Sequence, residues 1–178
     1  MNTKNEGLSE SLRVVFMGTP EFAVPVLTAL LDAGHEVVGV YTQPDRPTGR
    51  GQKTESPPVK RLALEHGLSV YQPTTLRDAD AQRKLAALEP DVCVVAAYGK
   101  LLPPEVLAIP PLGCLNIHPS LLPKYRGPSP VASAILAGDA VTGVTVMKLD
   151  EGMDTGPLLA QQETTIRSDE KADALTHR

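Results

Sequence analysis

The chain has 178 residues, and 17 Lys and Arg against 21 Asp and Glu give it a formal net charge of −4. With 42% hydrophobic and 21% charged residues, it has the composition of an ordinary globular domain, which excludes a disordered chain and a coiled coil. The mildly acidic charge and the four Tyr, two Phe and absent Trp exclude a broadly basic protein that stacks nucleic-acid bases, so any nucleic-acid contact must be local.

The first half of the chain alternates short β-branched runs with amphipathic segments, the pattern of strands and helices in turn. The sequence predicts strands at Leu12–Phe16, Val37–Tyr41, Val70–Tyr71 and Asp91–Ala97, and helices at 20–33, Val59–His66 and Asp78–Leu88. Thr19 is predicted to cap the first helix, with Pro20 at its first position and Gly34 at its end. This order predicts parallel strands with right-handed crossovers.

The second half changes its pattern toward the C-terminus. It predicts one or two helical turns at Pro104–Ile109, a strand at Cys114–His118 and a helix at Pro130–Ala137. Alternating residues in Val141–Leu149, followed by Leu158–Thr165, predict an antiparallel hairpin. The predicted fold class is therefore α/β, with a mostly parallel sheet, helices on both faces and a C-terminal antiparallel hairpin.

Two stretches show no regular pattern and directly follow predicted strands. Gln43–Ser56 carries Arg46, Arg50 and Lys53, and Pro119–Pro128 follows the strand that ends at His118. Loops this long are often functional, and open α/β sheets bind ligands at the carboxyl ends of their strands. We therefore expect ligand contacts from both.

Two kinds of site are not expected. Cys93 and Cys114 lie inside hydrophobic runs and not in a Cys-x-x-Cys pattern, so we expect reduced core residues and no metal site. The Gly18-Thr19-Pro20 turn lacks the Gly-x-Gly-x-x-Gly pattern, and Pro20 removes a backbone donor for pyrophosphate. No nicotinamide cofactor is expected.

Three polar residues form the candidate catalytic set. Asn116 and His118 are two apart in a predicted strand, so their side chains leave the same face, and Asp154 lies in a glycine-flanked turn after the next strand. If the sheet brings that turn alongside, an amide donor, an imidazole and a carboxylate suit acyl transfer through a tetrahedral intermediate. Spacing alone leaves open a purely structural role for each residue.

Ordered motifs along the chain make the pattern more specific. They are the segments Val15–Ala23 (VFMGTPEFA), Thr42–Pro47 (TQPDRP), Ala97–Gly99 (AYG), Asn116–Pro123 (NIHPSLLP), Lys124–Gly127 (KYRG) and Asp154–Gly156 (DTG). Together they resemble the 10-formyltetrahydrofolate-dependent formyltransferases, and within that family the enzymes that act on methionyl-tRNA. The resemblance runs from about Leu12 to the C-terminus.

The resemblance implies a Rossmann-like catalytic domain that transfers a formyl group from 10-formyltetrahydrofolate to the α-amine of methionyl initiator tRNA. It implies Asn116, His118 and Asp154 as catalytic residues. It also implies folate contacts from Ser120, Leu121, Leu122 and Pro123, and from Tyr98, Gly99, Lys100, Leu101 and Leu102. The tRNA contacts it implies are in the loop after the second strand, with Arg50 foremost and Arg46 and Lys53 beside it. For the last two, a solvated loop is an equal alternative.

Three alternatives remain open. A glycinamide ribonucleotide formyltransferase carries the same catalytic trio, which corresponds to Asn116, His118 and Asp154 here. It would, however, have a Ser/Gly/Asn-rich phosphate loop where this chain has Gly18–Glu21. A formyltetrahydrofolate hydrolase domain shares the motif of His118–Pro123 but would act on water. A non-catalytic folate- or RNA-binding module would not need the complete trio.

The resemblance also predicts the domain organisation. Residues 1–11 are expected to form a flexible tail, and residues 12–178 the catalytic domain. Ser168 is predicted to cap a final helix. We expect a truncated chain that lacks the family's C-terminal β-barrel. The lack of a secretion signal or a hydrophobic run of about 20 residues predicts a cytoplasmic protein without membrane contact. We expect a monomer.

Overall fold

A seven-stranded sheet organises the chain in a computed structural model that describes residues 11–48 and 53–178. Its strands are β1 (Arg13–Gly18), β2 (Glu36–Tyr41), β5 (Val70–Tyr71), β6 (Val92–Ala96), β7 (Cys114–His118), β8 (Val141–Lys148) and β9 (Leu158–Thr165). The strand order is β5-β2-β1-β6-β7-β8-β9; neighbours pair in parallel from β5 to β7, and β7–β8 and β8–β9 pair antiparallel. A separate two-stranded hairpin is formed by β3 (Arg46–Thr48) and β4 (Lys53–Glu55).

Short helices connect these strands, and the last helix follows β9. They are α1 (Val24–Asp32), α2 (Pro58–Glu65), α3 (Ala79–Ala86), α4 (Pro104–Leu107), α5 (Pro130–Leu136) and α6 (Ala172–His177). Four of them (α1, α2, α4 and α5) have proline in their first turn, where its missing N–H costs nothing and its fixed φ suits the helix. Gly34, at φ +78°, follows the end of α1 as predicted.

The core lies on both faces of the sheet. Side chains of β1 alternate between the faces: Val14 and Phe16 pack with α1 and α2, whereas Val15 and Met17 pack with α3 and α4. Because both faces are covered, β1 and β6 are almost wholly hydrophobic. This confirms the predicted Rossmann-like α/β fold with helices on both faces and a C-terminal antiparallel hairpin.

Three local predictions were wrong. Thr19 caps no helix, because its hydroxyl donates to the carbonyl of Tyr98 at 3.1 Å and accepts from the Gln43 amide at 3.3 Å. A 3₁₀ turn at Glu21–Ala23 then precedes α1. The stretch predicted as irregular at Gln43–Ser56 contains the β3–β4 hairpin. Ser168 is not an N-cap, since the last helix begins at Ala172.

Cys93 and Cys114 lie opposite each other on β6 and β7 as free, buried thiols, as predicted. The hydrogen bond with the Cys114 thiol, and then burial, raise the pKa of Cys93. In the described part of the chain, no cluster of three or more His, Cys, Asp or Glu residues could hold a metal ion. No helix within residues 11–48 and 53–178 is long and apolar enough to span a membrane. The predicted tail at 1–11 falls almost wholly outside the described residues.

Candidate active site

The loops that follow β1, β6 and β7 meet at one edge of the sheet. After β1 the chain crosses to β2 on one side, and β6 returns on the other side of β1, so the edge above β1 and β6 is the switch point where such sheets bind ligands. A cleft of about 430 Å³, the trio cleft, opens there between residues 95–102, 116–119 and 152–154. Its size falls within the usual range for small-molecule sites.

The structure brings the predicted catalytic residues together in this cleft. Asn116 Nδ2 donates to Asp154 Oδ1 at 3.4 Å, and His118 Nδ1 lies 3.6 Å from Asp154 Oδ2. Asn116 and His118 share a face of β7, as their spacing predicted. Only 6% of the His118 side chain and 13% of that of Asp154 are exposed, so water screens their charges poorly.

Asp154 reaches the cleft from the loop that joins β8 to β9. Because β8 runs antiparallel to β7, it ends beside the start of β7, where the Leu149 amide donates to the Cys114 carbonyl at 2.8 Å. The loop must therefore fold back along β7 to reach His118. Gly156 makes this path possible, since a Cβ there would overlap the carbonyl oxygen of Lys148.

A loop after β7, Lys124–Gly127, holds two members of the trio through its main chain. The Tyr125 carbonyl lies 2.9 Å from His118 Nε2, and the Gly127 amide donates to Asp154 Oδ2 at 2.8 Å. A carbonyl can only accept, so Nε2 carries the hydrogen. The other ring nitrogen, Nδ1, is therefore the one that faces Asp154.

Residues in left-handed backbone conformation surround the cleft. Of the four non-glycine residues with positive φ in the described chain, Ala97 (+46°), Tyr125 (+55°) and Asp154 (+52°) lie at the trio cleft or contact the trio directly. Such conformations cost on the order of 1–3 kcal/mol each and cluster at functional sites. The backbone thus marks the same site as the side chains.

The predicted folate residues after β6 contribute mostly main chain to the cleft. Tyr98 is buried in the core, where burial raises its pKa to about 12, and its carbonyl accepts from Thr19 and Gln43. Lys100 Nζ is turned away and donates to the carbonyls of Pro73 and Thr74, and loss of water there lowers the pKa of Lys100. Gly99, Leu101 and Leu102 line the cleft, and Leu101 is 76% exposed.

The predicted folate residues after β7 lie elsewhere. Ser120, Leu121, Leu122 and Pro123 are absent from the lining of the trio cleft. The main chain of Ser120 and Leu122 is instead hydrogen-bonded to Thr145 Oγ1 of β8, at 2.6 and 3.1 Å. Gln161 of β9 donates to the Leu122 carbonyl at 2.9 Å. This segment packs against the antiparallel strands.

A second depression, the hairpin groove, adjoins the first. It measures about 520 Å³, runs from Thr19 and Gln43 to the β3–β4 hairpin, and shares residues 97–99 with the trio cleft. Arg46 lines it and is exposed. Arg50 lies outside the described residues, and only the backbone of Lys53 is described, in β4.

Sequence reasoning missed a polar cluster at the base of the hairpin. Asp45 accepts from Lys60 Nζ at 2.7 and 2.8 Å and from Gln72 Nε2 at 2.8 Å. These hydrogen bonds, Lys60 first, hold the pKa of Asp45 below its usual range. The three residues are far apart in sequence and have no motif spacing, so no local signal reveals the cluster.

Comparison with known proteins identifies the family of the chain. The family model described as formyl transferase matches residues 12–178. A methionyl-tRNA formyltransferase of Chromohalobacter salexigens is 62% identical over 159 residues, 89% of this chain and 49% of the relative. That of Marinobacter nauticus is 55% identical over 94% of this chain and 54% of its own length.

Among solved structures, a phosphoribosylglycinamide formyltransferase of Bacillus halodurans superposes with a TM-score of 0.75 at 28% identity, covering 92% of this chain and 85% of its own. The chain spans about half the length of the two methionyl-tRNA formyltransferases that it matches. The match of the family model over residues 12–178 and the identity to these relatives show that the chain belongs to the formyl transferase family.

Proposed function

We propose that this chain transfers a formyl group from 10-formyltetrahydrofolate to the α-amine of methionyl initiator tRNA, in support of translation initiation. The observation that carries the proposal is the convergence of Asn116, His118 and Asp154 in one cleft. The relatives named methionyl-tRNA formyltransferase, at 55–62% identity, support the choice of acceptor. Translation initiation on this tRNA places the protein in the cytoplasm.

The lining of the trio cleft fits a flat ring with a polar group at one end. Val95, Leu102, Leu149 and Met153 supply apolar surface, and the trio supplies the polar end. We propose that the pteridine of the formyl donor packs against this apolar surface. Ser120–Pro123 would act through the shape of the β7–β8 region, because the structure places them outside the cleft lining.

The trio supplies what formyl transfer needs. The neutral amine attacks the formyl carbon, the C–N bond to folate N10 breaks, and the proton lost by the amine balances the one that N10 gains. Asn116 Nδ2 is placed to donate to the oxygen of the tetrahedral intermediate, and one such donor is worth about 10²–10³ in rate. His118 Nδ1 is placed to donate to the same oxygen in the imidazolium form of the ring, which carries a hydrogen on both nitrogens. Asp154 accepts the proton through water and returns it to the leaving nitrogen.

We propose that the acceptor end of the tRNA enters through the hairpin groove. The groove meets the trio cleft at Ala97–Gly99, so an amine held there reaches the formyl group. Arg46 supplies positive charge, with Arg50 and Lys53 as further proposed contacts. Replacing Arg46 with Ala should weaken tRNA binding. The slope of the logarithm of the binding constant against the logarithm of salt concentration should become shallower by about one unit. Fluorescence anisotropy across a salt series measures this, with the exposed Arg77→Ala as the charge-matched control.

A glycinamide ribonucleotide formyltransferase is the second candidate, because the Bacillus halodurans structure shares the fold. The β1 loop argues against it: Pro20 offers no amide and the Thr19 hydroxyl is already bonded to Tyr98 and Gln43. Formyl transfer assays with both acceptors separate the two. Transfer to glycinamide ribonucleotide and not to methionyl-tRNA would overturn our proposal, as would release of formate alone, which indicates a hydrolase.

We also propose that the chain acts as a monomer with one tRNA. Sedimentation equilibrium of the chain with and without methionyl-tRNA tests this. A dimer in either sample would contradict it.

A further inference from the structure

The orientation of the His118 ring depends on a contact that the trio itself does not provide. His118 is 4% exposed. Its Nε2 lies 2.9 Å from the Tyr125 carbonyl, whereas Nδ1 is 3.6 Å from Asp154. A separation of 3.6 Å is too long for a hydrogen bond, so Asp154 does not fix the ring. The Tyr125 carbonyl is the closer partner and sets which nitrogen faces the cleft.

The Tyr125 backbone is held in a conformation that an aromatic residue rarely adopts. At φ +55°, its left-handed backbone costs on the order of 1–3 kcal/mol, so something must hold it. The Tyr125 hydroxyl donates to Asp139 Oδ2 at 2.8 Å. A hydrogen bond to a carboxylate is roughly twice as strong as a neutral one. It raises the pKa of Tyr125 and lowers that of Asp139.

Asp139 is itself firmly placed. Its amide donates to the Ala134 carbonyl of α5 at 3.1 Å, and two residues later the chain enters β8. In β8, Thr145 pairs with His118. Asp139 therefore lies at the start of the strand that pairs with the strand of His118. Lys124 Nζ also contacts Asp139, at 3.2 Å, but 65% of the Lys124 side chain is exposed, so this ion pair is worth little.

We propose that Tyr125 and Asp139 are positioning residues: their hydrogen bond holds the Tyr125 carbonyl against His118 Nε2 and so commits Nδ1 of His118 to the reacting group. The assignment of Nδ1 to the formyl oxygen rests on the proposed function. The hydrogen bond from Tyr125 to Asp139 and its effect on His118, here called the tether, do not rest on it, because they concern only the geometry of the free protein.

The primary test is the tautomer of His118 in the free 178-residue chain, read from long-range ¹H–¹⁵N correlations of its ring nitrogens. The native chain should show hydrogen on Nε2. Tyr125→Phe removes only the hydroxyl. Its spectrum should no longer show the Nε2–H tautomer of His118 alone, while the melting temperature changes little. Asp139→Asn keeps an acceptor for the hydroxyl and should retain that tautomer. Tyr71→Phe, in the edge strand β5 with three strands between it and β7, is the matched control.

Formyl transfer gives the second measurement. Tyr125→Phe should lower kcat between about 10-fold and 100-fold with KM for both substrates nearly unchanged, and Asp139→Asn should stay close to the native kcat. A His118 spectrum in Tyr125→Phe identical to the native one would overturn the tether. A second outcome separates the two proposals: Tyr125→Phe loses the Nε2–H tautomer of His118, but the native chain transfers no formyl group to methionyl-tRNA. That result would overturn the proposed function and leave the tether supported.

Discussion

Two aspartates at the same edge of the sheet have different surroundings. Asp45, beside the hairpin, is enclosed by Lys60 and Gln72, whose donor atoms all lie within 2.8 Å. Its oxygens are occupied and its negative charge is balanced. Asp45 is thus a structural group that holds the base of the hairpin.

Asp154, beside the trio cleft, is only partly satisfied. It receives one short hydrogen bond, from Gly127, whereas Asn116 and His118 lie at 3.4 and 3.6 Å. Catalytic hydrogen bonds are often long in the free protein and shorten when substrate binds. Residue type and position therefore do not distinguish a structural aspartate from a catalytic one at this edge of the sheet. The lengths of the hydrogen bonds to the carboxylate do.

The largest expected effect comes from Asp154→Asn. Asparagine tolerates a left-handed backbone as well as aspartate does, so the loop should keep its shape. Formyl transfer should fall by about 10²–10⁴-fold, because proton transfer is lost, with affinity for a folate analogue largely intact. Steady-state kinetics and calorimetric titration measure the two. Asp45→Asn is the matched control. A similar loss of kcat in both variants would show that the two aspartates do not differ in role.

Gly127→Ala should have the next largest effect. Gly127 has φ +91° and room for a Cβ, so the cost is backbone strain of about 1–2 kcal/mol. Gly67, at φ +68° with open space around it, should lose similar stability on replacement by Ala. Only Gly127→Ala should also lower kcat, since its amide holds Asp154. Chemical denaturation and kinetics of both variants give the result; equal kcat values would show that this amide does not matter.

A smaller, pH-dependent effect is expected at Asp45. Because Lys60 and Gln72 lower the folded-state pKa of Asp45, its stabilisation is present above the unfolded value of about 3.9. It is lost as the pH falls through the folded-state value. The melting temperature of Asp45→Asn should thus lie below the native one near neutral pH, with the gap closing below about pH 4. Lys60→Met should narrow the same gap; a gap independent of pH would contradict the pairing.

The smallest effect is expected from Tyr41→Phe. The Tyr41 hydroxyl is buried and has no hydrogen-bond partner among the described residues. Removing an unpaired buried hydroxyl is neutral or stabilising by up to about 1 kcal/mol, and scanning calorimetry would show a melting temperature unchanged or raised by roughly 2–4 °C. A clear loss of stability would show that this hydroxyl, like Asp45, is satisfied.

The sequence predicted the sheet well because its strands are hydrophobic and β-branched. Val70–Tyr71, Cys114–His118 and Leu158–Thr165 match the observed strands residue for residue. It was wrong at Thr19 and Ser168, which are good helix caps by type. Tertiary contacts with Tyr98 and Gln43 claim the Thr19 hydroxyl, and no local pattern reports such contacts.

The site was predictable only in part. Asn116 and His118 follow from their spacing, but the approach of Asp154 depends on how the β8–β9 loop folds back. The contacts of Tyr125 and Gly127 with the trio use main-chain atoms, which every residue has, so residue type gives no signal. Whether Ser120–Pro123 and Arg50 bind substrate stays a prediction.

The left-handed backbone at Ala97, Tyr125 and Asp154 has a practical consequence for engineering. At Ala97, which has no side-chain hydrogen bond to lose, glycine would relieve the torsional penalty and raise the melting temperature. A screen that ranks variants by heat resistance alone would therefore enrich a substitution in a loop that shapes the cleft. Thermostable descendants of this chain should be checked for turnover before they are kept.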